Sequence, residues 1–203
     1  MAQAPKRQRK KTHNLSLQDY MKKHSPLKAG LKVTDEDENL EKYNQITKRI
    51  YLGNIQASKD KKFFETKKIK AVLNCTKDIP NTFAKGDVEY LRIPVDDSLK
   101  EKDFELMYKF MPVICEFIHK HANIQKQNIL VHCAMGRERS AIAVAAYFVC
   151  KEGMNPHDAC KLVMDKRPES FWYGKSVNFD QALNKYYKDV KKQKSKAVAK
   201  QER

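Results

Sequence analysis

Short apolar runs alternate with longer amphipathic stretches from residue 46 onward. The runs at 50–52, 69–75, 88–95 and 129–133 have the length and aliphatic content of buried strands. Apolar side chains recur at helical spacing over 103–121, and the small-residue stretch at 140–151 also has helical character. Strands that alternate with helices predict an α/β fold, with a central, mostly parallel sheet of four to five strands flanked by helices.

Local signals refine the helices of this pattern. Pro112 falls inside the 103–121 stretch and should kink that helix or begin a second one. Asn155 followed by Pro156 marks the start of another helix, and Arg167 with Pro168 marks its end. We also expect a basic helix at 58–67 and a final helix at about 176–189.

The net charge of +16 is concentrated at the two ends of the chain. Residues 1–32 hold nine Lys or Arg against one acid, and residues 185–203 hold eight against two. We therefore divide the chain into a basic N-terminal extension at 1–30, a globular domain at 31–190 and a basic C-terminal tail at 191–203. Such tails are usually only solvated. The functional alternative is an acidic partner, namely nucleic acid, an anionic membrane or an acidic protein.

Cysteine usage and hydropathy predict an intracellular protein. The five cysteines lack metal-ligand spacing, which indicates free thiols in a reducing compartment. No apolar stretch reaches the ~18 residues of a membrane span, and the first residues are polar and basic. The basic run at 6–11 fits a nuclear import signal, so the expected localisation is cytoplasmic, nuclear or both.

The strand at 129–133 runs directly into a thiol and a short loop. Cys133 is followed by five residues, then by Arg139, Ser140 and the helix. Unpaired N–H groups at a helix N-terminus bind anions, Gly136 permits a left-handed turn, and Arg139 can clamp two phosphoryl oxygens. The same field favours a thiolate at Cys133. The sequence predicts a phosphate-binding loop with a cysteine nucleophile; the competing interpretation is an inert cysteine buried in the sheet.

His132, Cys133, Arg139 and Ser140 resemble the His-Cys-x5-Arg-Ser signature of the cysteine-dependent protein tyrosine phosphatases. The resemblance extends over roughly residues 46–187 and is to the small dual-specificity phosphatases, of the H1-like type also found in large DNA viruses. It implies that 31–190 is a catalytic domain with the three-layer fold of that superfamily. The further segments that carry it are Ile50-Tyr51-Leu52-Gly53-Asn54, Val72-Leu73-Asn74, Ile93-Pro94-Val95-Asp96-Asp97, Arg167-Pro168 and Asn178-Phe179.

The resemblance implies the roles of the loop residues. Cys133 would attack phosphorus and form a phosphocysteine, and Ser140 would donate a hydrogen bond to its sulfur. Arg139 would stabilise the transferring phosphoryl group electrostatically. The remaining substrate-binding positions would be Ala134, Met135, Gly136, Arg137 and Glu138.

The general acid and the supporting residues also follow from the resemblance. Asp97 would protonate the leaving group, with Asp96 as the alternative, although paired aspartates in a loop can simply cap a turn. His132 would support the loop through backbone hydrogen bonds, and Asn74 would support it from the neighbouring strand. The implied chemistry requires neither a metal nor a cofactor.

Glu138 departs from the family, which usually has a small or neutral residue at that position. It could point outward and pair with Arg137, or its charge could weaken anion binding. Cys75 also ends a strand that should lead to the site. Several superfamily members have a cysteine there that forms a reversible disulfide with the nucleophile, so Cys75 is either a redox partner of Cys133 or a small core residue.

The expected substrates are phosphotyrosine and phosphoserine or phosphothreonine in proteins. A polyanionic substrate, RNA 5′-phosphate or a phosphoinositide, is the alternative, because Arg137 stands where some lipid phosphatases carry a basic residue and the tails are basic. The RNA alternative is disfavoured, because Glu138, Asp96 and Asp97 differ from the pattern of the RNA phosphatases. A phospho-binding module without turnover is the third hypothesis.

Overall fold

A five-stranded sheet forms the centre of the computed structural model, which describes residues 41–98, 100–171 and 177–201. The strand order is β1-β2-β5-β3-β4; β1 pairs antiparallel with β2, and the other three pairings are parallel. This confirms the predicted α/β class with its mostly parallel sheet. The strands are β1 (Tyr43–Gln45), β2 (Ile50–Gly53), β3 (Ile69–Asn74), β4 (Glu89–Arg92) and β5 (Asn128–His132).

Both faces of the central strands are covered by helices, which explains their continuous apolar runs. Successive side chains of a strand point to opposite faces. One face packs beneath the larger helical layer, and the other packs against two short helices. Leu52, Leu73 and Val131 belong to the first core, whereas Tyr51, Val72 and Leu130 belong to the second.

Six helices flank the sheet in the described residues, and the predicted helix at 58–67 is wrong. The single helix expected at 58–67 is two helices, because Asp60 ends the first and begins the second. The Asp60 carboxylate accepts a hydrogen bond from the Phe63 N–H at 3.0 Å, as an N-cap residue does. The helices are α1 (Ile55–Lys59), α2 (Lys61–Thr66), α3 (Glu101–Ile118), α4 (Arg139–Lys151), α5 (Pro156–Lys166) and α6 (Val177–Gln201).

Pro112 lies within α3 and does not begin a new segment. Its ring is on the exposed face of the helix, where the carbonyl that loses its N–H partner can reach water. The helix passes at its end into a π-helical turn at His119–Ile124. Met107, Met111 and Ile114 on the opposite face are fully buried, so packing maintains α3 despite the proline.

The final helix is longer than expected, since α6 continues to Gln201 instead of ending near residue 189. Among its described side chains, the last buried apolar one is Val190, and those from Lys191 to Ala197 are exposed. The helix therefore does not end at residue 191, where the tail was predicted to begin; its side chains change there from partly buried to exposed. The N-terminal extension and residues 31–40 lie outside the described residues. Among the helices that are described, none has both the length and the hydropathy to cross a bilayer.

Replacing Ile114 with Ala should lower the free energy of unfolding by about 2–5 kcal/mol, because the side chain is completely buried in the larger core. The neighbouring substitution Val113→Ala is the matched control. Val113 is 48% exposed, so its loss should change stability by about 0.5 kcal/mol or less. Urea unfolding monitored by circular dichroism measures both, and equal effects would contradict the burial pattern of α3.

Candidate active site

The phosphate-binding loop predicted from the sequence connects the central strand β5 to α4. In a parallel sheet, the carboxyl ends of neighbouring strands lie at one edge, where ligands bind. Here Asn74 at the end of β3 pairs with His132 at the end of β5, and Gly53 at the end of β2 pairs with the same histidine from the other side. Cys133 therefore begins its loop between two supporting strands.

Backbone contacts with β2 and α1 fix the course of the loop. Gly136 has φ +70°, the left-handed conformation that the sequence analysis expected. A Cβ atom at Gly136 would lie 2.5 Å from the carbonyl oxygen of Gly53, so only glycine fits there. The N–H of Ile55, at the start of α1, donates to the carbonyl of Ala134 at 3.0 Å. The Gly53-Asn54 segment thus acts as a platform for the loop.

The thiol of Cys133 lies inside the curve of the loop and is 1% exposed. The backbone N–H of Gly136 and the hydroxyl of Ser140 both donate hydrogen bonds to its sulfur at 3.2 Å. The expected contact between Ser140 and Cys133 is therefore present. Two donors directed at one sulfur stabilise negative charge on it, as a nucleophilic thiolate requires.

Arg139 connects the phosphate-binding loop to the 94–98 loop that follows β4. Its guanidinium donates to the carbonyl of Val95 at 3.2 Å, and its Nε atom lies 3.5 Å from a carboxylate oxygen of Asp97. The side chain is only 10% exposed, so its charge is poorly screened by solvent. One guanidinium can therefore act on both a bound anion and Asp97.

The two candidate acids face different surroundings. Burial raises the pKa of Asp97, Arg139 lowers it, and the nearby carboxylate of Asp103 raises it further, with a net upward shift. The side chain of Asp97 is 30% exposed, so its burial is partial. Asp96 instead lines a surface cavity of about 390 Å³ with Lys102 of α3. The position beside Arg139 and the raised pKa favour Asp97 as a proton donor.

His132 and Asn74 support the site from the ends of β5 and β3. Burial lowers the pKa of His132 to about 4, so its imidazole is neutral at physiological pH, and Nδ1 lies 3.3 Å from the carbonyl oxygen of Cys133. The Asn74 side chain accepts hydrogen bonds from Thr76 and donates to the carbonyl of Ile79 at 2.9 Å. Asn74 thereby shapes the loop beside the site.

The sequence profile described as the dual specificity phosphatase catalytic domain matches residues 50–189, which include the thiol, the guanidinium, the carboxylate and their supports. This chain belongs to that family. The match covers more than half of the chain, and it agrees with the family that the loop signature indicated.

Curated relatives and solved structures are consistent with this family. The dual specificity protein phosphatase Mpk3 of Drosophila melanogaster is 36% identical over 121 residues, which are 59% of this chain but 28% of Mpk3. Human dual specificity protein phosphatase 21 is 29% identical over 135 residues, 64% of this chain and 68% of that protein. The crystal structure of human DUSP28 superposes with a TM-score of 0.64 at 22% identity, over 74% of this chain and 96% of that one.

The structure corrects one interpretation of Glu138. Its side chain does not point outward: Glu138 is 2% exposed and Arg137 is 5% exposed. Glu138 immediately precedes α4, yet its carboxylate makes no capping hydrogen bond to the helix. Arg137 therefore does not supply an exposed cation at the entrance to this dual specificity phosphatase site.

Arg167 is a functional residue whose role the sequence analysis missed. It follows α5 directly, as predicted, but its guanidinium is completely buried beneath the phosphate-binding loop. Its Nε donates to the carbonyl of Gly136 at 2.8 Å, and its Nη2 donates to the carbonyl of Met135 at 3.3 Å. A peptide carbonyl and the adjacent N–H point in opposite directions, so holding these carbonyls outward turns the amides inward.

Further contacts tie Arg167 to the N-terminal part of the described chain. Nη1 donates to the carbonyl of Glu41 at 3.2 Å and to the side chain of Asn44, and it pairs with Glu169 at 3.1 Å. Burial lowers the pKa of Arg167, while the charge of Glu169 raises it. The only signal in the sequence was an arginine within a resembling segment, and this does not predict a contact with Gly136, 31 residues earlier.

Cys75 is buried at the end of β3, and its backbone N–H donates to the carbonyl of His132 at 2.8 Å. Burial raises the pKa of the Cys75 thiol, and the charge of Cys133 raises it further. The two thiols are thus electrostatically coupled neighbours. Within the described ranges, no three His, Cys, Asp or Glu side chains converge as metal ligands.

Replacing Arg167 with Lys should lower kcat/KM for a phosphate ester by about 10²-fold, because lysine keeps the charge but cannot hold several carbonyls at once. Steady-state turnover and inhibition by orthovanadate measure the effect, and vanadate binding should weaken together with turnover. Lys166→Ala, an exposed change one residue earlier, is the matched control. Unchanged vanadate binding in Arg167→Lys would contradict the positioning role.

Proposed function

We propose that this chain is a dual-specificity protein phosphatase that hydrolyses phosphotyrosine and phosphoserine or phosphothreonine through a phosphocysteine intermediate. The observation that carries the proposal is the Cys133 sulfur, which accepts two hydrogen bonds while Arg139 bridges towards Asp97. Family membership supports the same activity. Because the chain spans only 28% and 36% of the first two relatives, the activity of those whole proteins is not transferred with the match.

In the first step, the loop amides and Arg139 hold the phosphoryl oxygens, and the thiolate of Cys133 attacks phosphorus in line with the leaving oxygen. The P–S bond forms as the P–O bond breaks. Asp97 gives its proton to the leaving oxygen, which a carboxyl with a raised pKa is suited to do. The donors from Gly136 and Ser140 point at the attacking sulfur of Cys133.

In the second step, the ionised Asp97 takes a proton from water as that water attacks phosphorus. The P–S bond breaks, phosphate leaves, and the Ser140 hydroxyl stabilises the departing sulfur anion. Arg139 can contact the phosphoryl group in both steps. The carboxylate thus acts first as an acid and then as a base, and each turnover restores its proton.

Protein phosphates are favoured over polyanionic substrates because the basic residue that suggested the latter, Arg137, is buried. Initial rates on phosphotyrosine, phosphothreonine and phosphoserine peptides, a phosphoinositide and 5′-triphosphorylated RNA test this choice. The proposal expects turnover of the peptides above the other two classes. Phosphate binding without any turnover would instead identify a phospho-binding module.

Cys133→Ser should abolish turnover while phosphate binding persists, because a serine hydroxyl is not ionised at neutral pH. Turnover of para-nitrophenyl phosphate and vanadate binding by calorimetry measure the two properties. Cys150→Ser, which changes a half-buried thiol near the far end of α4, should retain wild-type turnover. Residual activity of Cys133→Ser within about tenfold of wild type, equivalent to ~1.4 kcal/mol of barrier, would exclude Cys133 as the nucleophile.

Asp97→Asn should lower turnover of alkyl phosphates by ~10²–10⁴-fold, with a smaller loss for good leaving groups that need little protonation. In the wild type, kcat should fall as pH rises through the raised pKa of Asp97, since the acid is then ionised, and the variant should lack this alkaline limb. The pH profile of kcat checks both points. The paired variant Asp96→Asn should keep the limb; a loss there instead would reassign the acid.

The basic ends are proposed as electrostatic docking elements for an acidic partner. The exposed lysines of the last turns of α6, with the N-terminal extension, supply charge that the central domain lacks. Nucleic acid, anionic vesicles and an acidic protein are the three classes to compare. These contacts should weaken as salt rises, because the Debye length is only ~8 Å at physiological ionic strength.

Deleting residues 1–14 and 191–203 should leave turnover of small substrates unchanged and reduce binding to an acidic partner. Replacing Lys191, Lys192, Lys194 and Lys196 with Gln is the sharper variant, because it removes charge from exposed positions while keeping good helix formers. Binding to the three partner classes at low and high salt measures the effect. Salt-independent binding would contradict an electrostatic role.

The proposed redox function of Cys75 follows from its place beside Cys133. Peroxide would oxidise the Cys133 thiolate to a sulfenic acid, and the Cys75 thiol would displace water to form a disulfide. This bond would protect Cys133 from irreversible oxidation, and dithiol would reverse it. The competing interpretation is a buried core thiol, and recovery of activity in Cys75→Ser after peroxide and dithiol distinguishes the two.

A further inference from the structure

A second pair of thiols lies away from the phosphate-binding loop, between α3, α4 and α6. Cys115 of α3 and Cys150, the penultimate residue of α4, have neighbouring side chains. The Cys115 sulfur also lies 3.3 Å from the carbonyl oxygen of Ala146, one helical turn before Cys150. From α6, the Tyr186 hydroxyl donates to the Cys115 sulfur at 3.6 Å. Three helices therefore hold the two thiols against each other.

The two thiols differ in access to solvent. Cys115 is completely buried, whereas Cys150 is half-buried near the end of its helix. A small oxidant in solution can therefore reach Cys150 first and Cys115 only through it. The pair has the arrangement of an attacking thiol at the surface and a resolving thiol behind it.

Charges around the pair favour ionisation of the outer thiol. The neighbouring Cys115 and Tyr186 side chains and the charge of Lys151 lower the pKa of Cys150, against burial and the carboxylate of Glu116. Burial raises the pKa of Cys115. Lys151 pairs with Glu116, and the ammonium group of Lys194 on α6 approaches the Cys150 carbonyl at 3.3 Å. Thiolate character at an accessible cysteine is what makes oxidation site-selective.

We propose that Cys115 and Cys150 form a redox site, separate from Cys133, in which hydrogen peroxide or another hydroperoxide converts the two thiols into a disulfide between α3 and α4. The site needs no phosphatase activity, so this inference stands apart from the proposed function.

The chemistry takes two steps. The Cys150 thiolate attacks one peroxide oxygen, so that an S–O bond forms, the O–O bond breaks, and hydroxide leaves as sulfur becomes a sulfenic acid. The Cys115 sulfur then attacks the Cys150 sulfur, an S–S bond forms, the S–O bond breaks, and the departing oxygen leaves as water with the Cys115 proton. In total, two thiols and one hydrogen peroxide give one disulfide and two waters.

The disulfide would join α3 and α4, whose N-terminal residues lie beside the 94–98 loop and the phosphate-binding loop. The first turn of α3 carries Asp103, which is hydrogen-bonded to Ser98 of the 94–98 loop. The first residues of α4 are Arg139 and Ser140. A disulfide near the far ends of these helices leaves Cys133 itself unmodified.

Each of the five cysteines falls in its own tryptic peptide, which makes the linkage measurable. Cleavage after Lys and Arg places Cys115 in 110–120, Cys150 in 140–151, Cys133 in 127–137, Cys75 in 71–77 and Cys160 in 152–161. Full-length protein is treated with hydrogen peroxide, alkylated, digested without reductant and analysed by mass spectrometry. We expect peptides 110–120 and 140–151 to appear as a linked pair that dithiol separates.

Four variants define the result. Cys115→Ser and Cys150→Ser should each lose the linked pair, whereas Cys133→Ser and Cys160→Ser should retain it. In Cys115→Ser, dimedone should trap a sulfenic acid on peptide 140–151, because no resolving thiol remains. Cys150→Ser changes only a half-buried position and keeps the test valid if the buried change at Cys115 impairs folding. Peroxide-treated wild type with no 110–120 to 140–151 link, whether Cys150 stays reduced or becomes a sulfinic acid, would overturn the proposal.

Discussion

The shape of the phosphate-binding loop depends on a guanidinium that is buried with its partners. Removing a charge from water is costly unless hydrogen bonds replace the lost hydration, so Arg167 requires carbonyl groups around it. The carbonyls of Met135 and Gly136 meet that requirement. Because they face Arg167, their peptide N–H groups face the opposite side, where the proposed phosphoryl group would lie. One buried cation thus organises a site for anions without touching them.

A second arginine divides its contacts between two loops. Arg139 belongs to α4 by position but reaches Val95 and Asp97 after β4. The carboxylate of Asp97 stabilises this guanidinium. Partial burial and the charge of Asp103 nevertheless leave the pKa of Asp97 raised. A bound phosphoryl group would draw Arg139 towards its own charge and weaken the effect of Arg139 on Asp97. Under the proposed mechanism, substrate binding and protonation of Asp97 would therefore be coupled through this one side chain.

The strand, loop and helix around Cys133 could be predicted because their signals are local: an apolar run, a glycine and a small-residue helix in sequence. The two-helix division at Asp60 was missed because its capping hydrogen bond competes with a continuous amphipathic pattern. Burial of Arg137 and Glu138 was missed because the alternation of apolar and polar residues does not predict which side chains of an irregular loop are buried. The contacts of Arg167 could not be predicted, since they join segments 31 to 126 residues apart and no local pattern signals them.

That separation has a consequence for the order in which the site can assemble. Arg167 contacts the loop directly and is itself held by Glu41 and Asn44, through contacts that span 126 and 123 residues. Contacts at such distances along a chain close late and slowly during folding. A nascent chain synthesised only as far as Cys133 lacks both Ser140 and Arg167, so its thiol is an ordinary cysteine. The contacts that shape the loop are therefore complete only after Arg167 has been synthesised and has packed beneath it.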